Sequence, residues 1–142
     1  MVALKKSVVI DAPAERVFAY VTEPTTMADW FPGAVEARNV VGVGEGQQYE
    51  WTHKYVGLLL RGQTTVVEHV PNKRSVHQSI GTISSIWTFS VEPREEGTTL
   101  TIEIDYTIPV PVLGKLAKRI VVKRDARELE GALINVKEIL AS

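Results

Sequence analysis

The C-terminal part of the chain contains the feature that most limits the fold, a long amphipathic helix. Its apolar residues recur at a 4, 3, 4, 3, 4 spacing, at Val122, Ala126, Leu129, Leu133, Val136 and Leu140. This spacing places them on one helical face, while the charged residues between them point elsewhere. An apolar face of this length needs a concave surface to lie in, so the rest of the chain is expected to supply one.

The middle of the chain has the composition of β-strands. Segments rich in Val, Ile, Thr and aromatic residues are separated at short intervals by Gly, Pro and Asn, which is typical of an antiparallel meander. The predicted strands cover residues 36–41, 47–56, 62–70, 75–80, 85–93 and 98–108. Upstream, the pattern predicts a first strand over residues 4–10, a helix over residues 14–21 and a second short helix over residues 25–33. This order predicts an α+β fold, with helices packed against one antiparallel sheet.

The length of 142 residues predicts a single domain covering residues 1–142. A formal net charge of −1 argues against a general polyanion binder, and the absence of cysteine excludes disulfides and cysteine metal sites. The start of the chain lacks a convincing signal peptide, and no apolar run is near the roughly 18 residues of a membrane span. We therefore expect a soluble, cytoplasmic protein without a cofactor, either a monomer or a homodimer.

Four segments carry a resemblance to a known family: "VVIDAPAERVFAYVTEPTTMADWFPG", "VVEHVPNKRSV", "WTFSVEPREEGTTLTIEIDYTIP" and "VLGKLAKRIVVKRDARELEGALINVKEIL". The chain resembles the START-like, Bet v 1-like superfamily (SRPBCC), and within it the polyketide cyclase/dehydrase-like branch. The resemblance implies a helix-grip fold, in which a curved antiparallel sheet of about seven strands wraps around the long C-terminal helix. It also implies a cavity for a hydrophobic ligand between sheet and helix. Members bind lipids, polyketides, quinones, plant hormones or sterols, and a minority are enzymes such as aromatase/cyclases.

An aromatic stripe marks the strand at residues 47–56. Alternation places Tyr49, Trp51, His53 and Tyr55 on one face and Glu50, Thr52 and Lys54 on the other. A packed core explains the bulk of these rings but not their polar tips, because a buried polar group without a partner costs roughly 1–3 kcal/mol. We therefore favour a cavity wall, in line with the resemblance. The predicted ligand-binding residues are Tyr49, Trp51, His53, Tyr55, Arg61, Trp87, Phe89, Ile102, Tyr106, Leu129 and Leu133.

The stretch "VGLLLRG" allows two interpretations. Leu58, Leu59 and Leu60 either continue a buried strand, with Leu58 and Leu60 facing the core, or form an apolar gate over the cavity between Gly57 and Gly62. Both stay open, and Leu59→Asp separates them. Weak ligand uptake in a stable variant indicates a gate, whereas a large loss of thermal stability indicates core.

The three histidines raise the question of catalysis. None is paired at metal-ligand spacing, so no metal site is expected. His53 is the best candidate for a general base, with Tyr49, Tyr55 or Arg61 as orienting groups. His69 is expected to alternate in step with Arg61, and His77 has no identified partner.

A basic run extends from Lys115 to Arg127, with six basic residues and one acid, Asp125, an excess of +5. Such a run is usually the solvated face of a helix, and it could also make a transient contact with an anionic membrane. Nucleic acid is not expected, because no aromatic residue is interleaved to stack on bases.

Two functions remain as hypotheses. The favoured one is binding or carriage of a small hydrophobic ligand, such as a lipid, quinone, polyketide or other aromatic molecule. The alternative is an aromatase/cyclase or dehydratase-like enzyme with His53 as acid/base. The polar constellation that cyclising relatives use is not recognised in the chain, which favours the first.

Overall fold

A computed structural model describes residues 2–108 and 114–141 of the chain. The strands are β1 (Val2–Ile10), β2 (Ala34–Val41), β3 (Gln48–Tyr55), β4 (Leu58–Val70), β5 (Arg74–Gly81), β6 (Ser85–Arg94) and β7 (Gly97–Tyr106). The helices are α1 (Ala14–Thr22), α2 (Met27–Trp30) and α3 (Lys115–Leu140), and a short 3-10 turn (Pro24–Thr26) precedes α2. The predicted α+β fold is confirmed, with seven strands, one long C-terminal helix and short helices after the first strand.

The seven strands form one antiparallel sheet in the order β1-β7-β6-β5-β4-β3-β2. Strands β2 to β7 follow one another as the predicted meander, because short turns join each strand to its neighbour. β1 lies at the opposite edge and pairs with β7 from Val2 opposite Tyr106 to Ile10 opposite Thr98. The first and the last strand of the chain, β1 and β7, therefore lie side by side in the sheet.

Local sequence explains the first helix. Pro13 precedes α1 with a φ of −65°, a conformation that the proline ring already holds, and Glu15 lies in the first turn, where the helix dipole favours an acid. Ala14, Val17, Phe18 and Val21 are buried on one face. The helix ends at Thr22, just ahead of Pro24, which cannot continue it.

The main core fills one half of the concave face of the sheet. Its fully buried residues come from β1, α1, β7 and the C-terminal half of α3, and include Ile10, Val17, Leu100, Ile102, Leu129, Leu133 and Val136. Lys6 Nζ also donates to Glu130 Oε1 at 2.8 Å, which ties β1 to α3 at the surface. The predicted apolar face of α3 is thus buried over its second half. In the first half, Leu116 and Ile120 are exposed.

The "VGLLLRG" stretch is a hairpin rather than a glycine-flanked loop. Val56 and Gly57 have φ values of 49° and 79°, which makes a tight two-residue turn. β4 then pairs with β3 from the first residue, with Leu58 opposite Tyr55. Leu58 and Leu59 are 52% and 61% exposed, and Leu60 is buried. The segment is therefore a paired strand, as the first interpretation holds, but of the two leucines expected in the core only Leu60 is buried.

A bulge in β4 changes which side chains face inward. The register between β4 and β5 shifts between Val66 and Glu68, so one extra residue is inserted there. His69 is consequently out of step with Arg61, contrary to the expected alternation. Its ring lies 5.2 Å from the ring of Phe18 in α1, on the helix side of the sheet.

Candidate ligand-binding site

A pocket occupies the other half of the concave face, between strands β2 to β7, the segment around α2 and the first half of α3. Its cavity volume is about 110 Å³, whereas one water needs roughly 10–15 Å³. Members of the main core and of a second buried cluster, formed by Tyr49, Trp51 and Leu60, both contribute to its wall. The pocket therefore lies between two packed clusters and has room for several waters or a small ligand.

Most of the predicted ligand-binding residues line this pocket. They are Tyr49, Trp51, His53, Tyr55, Trp87, Phe89 and Tyr106, joined by Leu60 from the predicted gate. Alternation along β3 explains the first four, because residues two apart on a strand share a face.

Arg61 is an exception. It lies opposite Thr52 in the register between β3 and β4, whereas Leu60 lies opposite His53. Its side chain is therefore exposed on the outer face of the sheet, outside the residues that form the pocket. This corrects the prediction that Arg61 takes part in the site. Leu58 and Leu59 are likewise outside the pocket wall.

Ile102, Leu129 and Leu133 form a second exception. All three are almost completely buried in the main core and are not part of the pocket wall. They lie in the core cluster in which β7, α1 and the C-terminal half of α3 pack directly against one another. The inward side of the sheet is thus divided into a packed half and a pocket half, which an alternation pattern does not distinguish.

Aromatic rings form much of the pocket wall. Phe31, which follows α2, lies 5.0 Å from Trp87 in an edge arrangement and 6.1 Å from His53 in a stacked one. Trp51 lies 5.0 Å from His53, and Trp87 lies 6.0 Å from Phe89. Phe31 was not among the predicted site residues, because its contacts depend on how the α2 segment folds over the sheet. These rings give the pocket flat apolar surfaces.

Trp51 is held in place by a glycine on the neighbouring strand. A Cβ atom at Gly62 would lie 2.3 Å from Cζ2 and 2.8 Å from Cε2 of Trp51, so the indole ring lies directly on the Gly62 backbone. Only glycine leaves room for this contact. The indole is 6% exposed, and within the described residues its Nε1–H has no hydrogen-bond acceptor.

A buried carboxylate from α3 lies at one side of the pocket. Tyr55 donates its hydroxyl to Asp125 Oδ2 at 2.8 Å, and Tyr106 donates to the same oxygen. Burial is the larger cause that raises the pKa of both phenols, and the bond to Asp125 is the second. The raised pKa keeps both phenols protonated as donors. Asp125 is 8% exposed. Asp125 was expected only as the one acid of the basic run, although it lies one helical turn before Leu129, on the apolar face.

A second polar network starts from Tyr49. Its hydroxyl lies 2.9 Å from His77 Nδ1, His77 Nε2 lies 2.9 Å from Ser75 Oγ, and that oxygen lies 3.2 Å from His69 Nδ1. Burial lowers the pKa of His77 to about 4 and raises that of Tyr49. A protonated phenol next to a neutral imidazole donates to Nδ1, so the proton of His77 lies on Nε2. His77, for which no partner was identified from sequence, thus joins the pocket to His69.

His53 has a different environment from His77. It lies between Phe31 and Trp51, and burial lowers its pKa to about 4. None of the expected orienting groups bonds it: Tyr49 bonds His77, Tyr55 bonds Asp125, and Arg61 lies on the outer face. The ring is thus part of the aromatic wall, and within residues 2–108 and 114–141 it has no hydrogen-bonded side chain of the kind that orients a general base.

Two further findings concern ions and membranes. No cluster of three or more His, Cys, Asp or Glu side chains arranged to hold a metal is found in residues 2–108 and 114–141. Across the same ranges, no helix has the length and apolar character needed to cross a bilayer.

The curved sheet, the long C-terminal helix and the pocket between them together define a helix-grip protein of the START-like class. A family model described as "Polyketide cyclase / dehydrase and lipid transport" matches residues 1–140, and the chain belongs to that family. The resemblance seen in the sequence is thereby confirmed. Comparison with curated proteins finds no match.

Solved structures share the fold at low sequence identity. A protein from Thermus thermophilus has a TM-score of 0.83 at 20% identity, covering 98% of this chain and 97% of its own. A START superfamily protein from Mycobacterium smegmatis has a TM-score of 0.78 at 21% identity, covering 97% and 98%. The Zhui aromatase/cyclase from Streptomyces sp. R1128 has a TM-score of 0.75 at 14% identity, covering 98% and 93%. At these identities the likeness shows the fold alone.

Proposed function

We propose that the protein binds a small, ring-containing hydrophobic molecule in the pocket between the sheet and α3. The observation that carries this proposal is the composition of the wall, where flat aromatic rings surround a space that side chains do not fill. Ligand pockets in proteins have this combination of apolar walls and a few placed polar groups. A lipid, quinone or polyketide-type molecule would bury its apolar surface there, gaining roughly 25 cal/mol per Å².

The test uses a pair of variants with the same chemical change. Ala37 lines the pocket on the edge strand β2, and Ala3 lies exposed on the other edge strand, β1. Ala37→Phe is expected to fill the pocket and abolish binding, and Ala3→Phe to bind as the unaltered protein does. Native mass spectrometry of the freshly purified proteins, followed by solvent extraction, identifies any bound molecule. Equal ligand content in the two variants would contradict the proposed location.

The alternative function, acid/base catalysis on a polyketide-type ligand, is favoured by one observation. The network from Tyr49 through His77 and Ser75 to His69 joins a pocket phenol to a half-buried histidine, and such chains can pass a proton in either direction. The Zhui relative is an aromatase/cyclase. In this form of the enzyme hypothesis, the network from Tyr49 to His69 moves the proton, instead of His53.

Deuterium exchange into β-tetralone, a bicyclic ketone that enolises, tests for this chemistry by NMR. Catalysed exchange that is lost in His77→Gln and kept in His53→Ala would favour an enzyme. If the ketone is bound to the intact protein but exchanges at the uncatalysed rate, the catalytic function is contradicted and binding without catalysis is supported.

We also propose a transient membrane contact through residues 115–127. In the first half of α3, Leu116 and Ile120 are 72% and 62% exposed among the basic residues of this run. Arg124 places its guanidinium 6.0 Å from the ring of Tyr55, which brings this part of α3 beside the β3–β4 hairpin and its exposed leucines. Apolar side chains within a basic surface are typical of segments that bind anionic bilayers.

Co-sedimentation with vesicles of phosphatidylcholine and phosphatidylserine tests this contact. Leu116→Ser with Ile120→Ser is expected to reduce vesicle binding, whereas Ile134→Ser, an exposed position in the second half of α3, is not. Binding should also weaken with added salt, because the Debye length shortens to about 8 Å at 0.15 M. Equal sedimentation of both variants would argue against the contact.

A further inference from the structure

We propose that Trp51 Nε1 and Asp125 Oδ1 are the two polar anchors of the pocket. The ligand would then be a planar ring molecule with a carbonyl-type acceptor at one end and a hydroxyl-type donor at the other. This inference rests on the proposed binding function and adds the chemical class of the ligand. Trp51 Nε1 and Asp125 Oδ1 are the buried side-chain polar atoms that lack a hydrogen-bond partner within the described residues. Both residues line the pocket.

The donor anchor is fixed in position before any ligand arrives. The indole of Trp51 lies on Gly62 and beside the ring of His53, so it has little freedom to turn away. By comparison, the indole of Trp30, which is 1% exposed, does have an acceptor, Thr26 Oγ1 at 3.3 Å. A buried N–H without an acceptor costs roughly 1–3 kcal/mol, a cost that a ligand carbonyl would remove.

The acceptor anchor is equally constrained. Both phenols, Tyr55 and Tyr106, donate to Oδ2 of Asp125 and leave Oδ1 without a hydrogen bond. Arg124 Nη1 lies 3.7 Å from Oδ1, close enough to balance its charge but beyond hydrogen-bond distance. An ionised carboxylate can accept about four hydrogen bonds, so a ligand hydroxyl would complete a site whose orientation the two phenols already set.

The positions of the anchors limit the size and charge of the ligand. Trp51 and Tyr55, whose hydroxyl bonds Asp125, are four residues apart on β3, which corresponds to about 13 Å between their Cα atoms. A ligand that contacts both residues must extend along part of this wall, which favours two or more fused rings over a single ring. A ligand carboxylate at the Asp125 end would meet a like charge, so a fatty acid headgroup is disfavoured there.

A matched pair of ketones tests both anchors by isothermal titration calorimetry. The compound 6-hydroxy-1-tetralone carries a carbonyl on one ring and a hydroxyl on the other, and in 6-methoxy-1-tetralone a methyl group replaces the hydroxyl hydrogen, so the donor is lost. The unaltered protein should bind the hydroxyl compound about tenfold more tightly or better, as expected for a hydrogen bond to a charged group.

Two variants assign the effect to the two atoms. In Asp125→Asn the phenols keep the amide oxygen and leave an NH₂ group facing the ligand, so the ratio of the two affinities should fall to about one. Trp51→Phe keeps an aromatic ring and removes the N–H, so it should weaken both ketones by a similar factor, about fivefold or more, and preserve the ratio.

The outcomes separate this inference from the proposed function. Equal affinities for the two ketones in the unaltered protein would overturn the Asp125 anchor, even if Asp125→Asn does not fold, while leaving ligand binding intact. Unchanged affinities in Trp51→Phe would overturn the Trp51 anchor. If neither ketone binds but the aromatic dye 1-anilinonaphthalene-8-sulfonate is displaced from the pocket by other ring compounds, the ligand class is wrong. If no ring compound binds at all, the proposed function itself fails.

Discussion

At the scale of single residues, Asp125 shows how the site depends on a few polar contacts. A buried carboxylate must be compensated by hydrogen bonds, and Tyr106 and Tyr55 supply them. We expect Tyr106→Phe to lower the free energy of unfolding by about 1.5–3 kcal/mol, the usual contribution of a hydrogen bond to a charged group. Urea denaturation measures this change. Tyr20→Phe is the control, since no side-chain hydrogen bond of Tyr20 is found in the described part, and equal stability of the two variants would contradict the expectation.

His77 gives a pH dependence with a defined sign. Its pKa falls from 6.5 to about 4 on burial, so the unfolded chain binds more protons than the folded one between these values. The folded state is therefore most stable above pH 6.5 and loses stability as the pH falls towards 4. The loss due to His77 reaches about 3 kcal/mol.

The comparison of the unaltered protein with His77→Gln isolates this contribution. The free energy of unfolding is measured from pH 7 to about pH 4 for both proteins. The variant is expected to lose about 3 kcal/mol less over that range, whatever its stability at pH 7. Parallel curves would mean that His77 has an ordinary pKa in the folded protein.

Gly62 is a residue whose identity is required by its neighbour. A Cβ atom there would lie 2.3 Å from Trp51 Cζ2 and 2.7 Å from the Ile80 carbonyl oxygen. Gly62→Ala is expected to cost about 1–3 kcal/mol through overpacking and to displace the indole, which tryptophan fluorescence would detect. The control is Gly131→Ala in α3, where an added Cβ meets nothing within 4 Å. That change should raise stability by about 0.5–1 kcal/mol, because alanine is the better helix former.

At the scale of whole elements, local patterns predicted the secondary structure well. Alternation and helical spacing depend on neighbouring residues, so the strands and the long helix lie close to the predicted ranges. The turn at Val56 and the bulge near Val66 were missed. A β-branched residue at positive φ and an inserted residue are both imposed by pairing with other strands, and neither has a strong local signal.

The candidate site, like the fold, could be predicted from the sequence only where the signal is local. Strand alternation was sufficient to place Tyr49, Trp51 and His53 on one wall, because they share a single strand. Asp125 and His77 were missed as site residues, since their roles arise from contacts with tyrosines on other elements. Signals for both exist in the sequence. An acid on the apolar face of a helix and a histidine that alternates with Ser75 in a strand each place a polar group inside, where it needs a partner.

At the scale of the whole molecule, the concave face of the sheet has two halves, one covered by the packed core and one that lines the pocket. The first contributes stability, and the second gives up packing contacts along the pocket wall, which a ligand would restore. Ligand binding is therefore expected to raise the melting temperature. At a ligand concentration 100 times Kd, the gain is about 2.7 kcal/mol, or a shift on the order of 5–10 °C for a chain of this size.

The pocket-filling variant gives this prediction its control. Ala37→Phe should melt at or above the temperature of the ligand-free protein, because the new ring occupies part of the pocket, and it should show no shift when ligand is added. Differential scanning calorimetry with a ligand extracted from the native protein, or with the hydroxytetralone, measures both effects. A ligand-induced shift that persists undiminished in Ala37→Phe would place binding elsewhere on the molecule, because mass action allows a shift only where the folded state still binds.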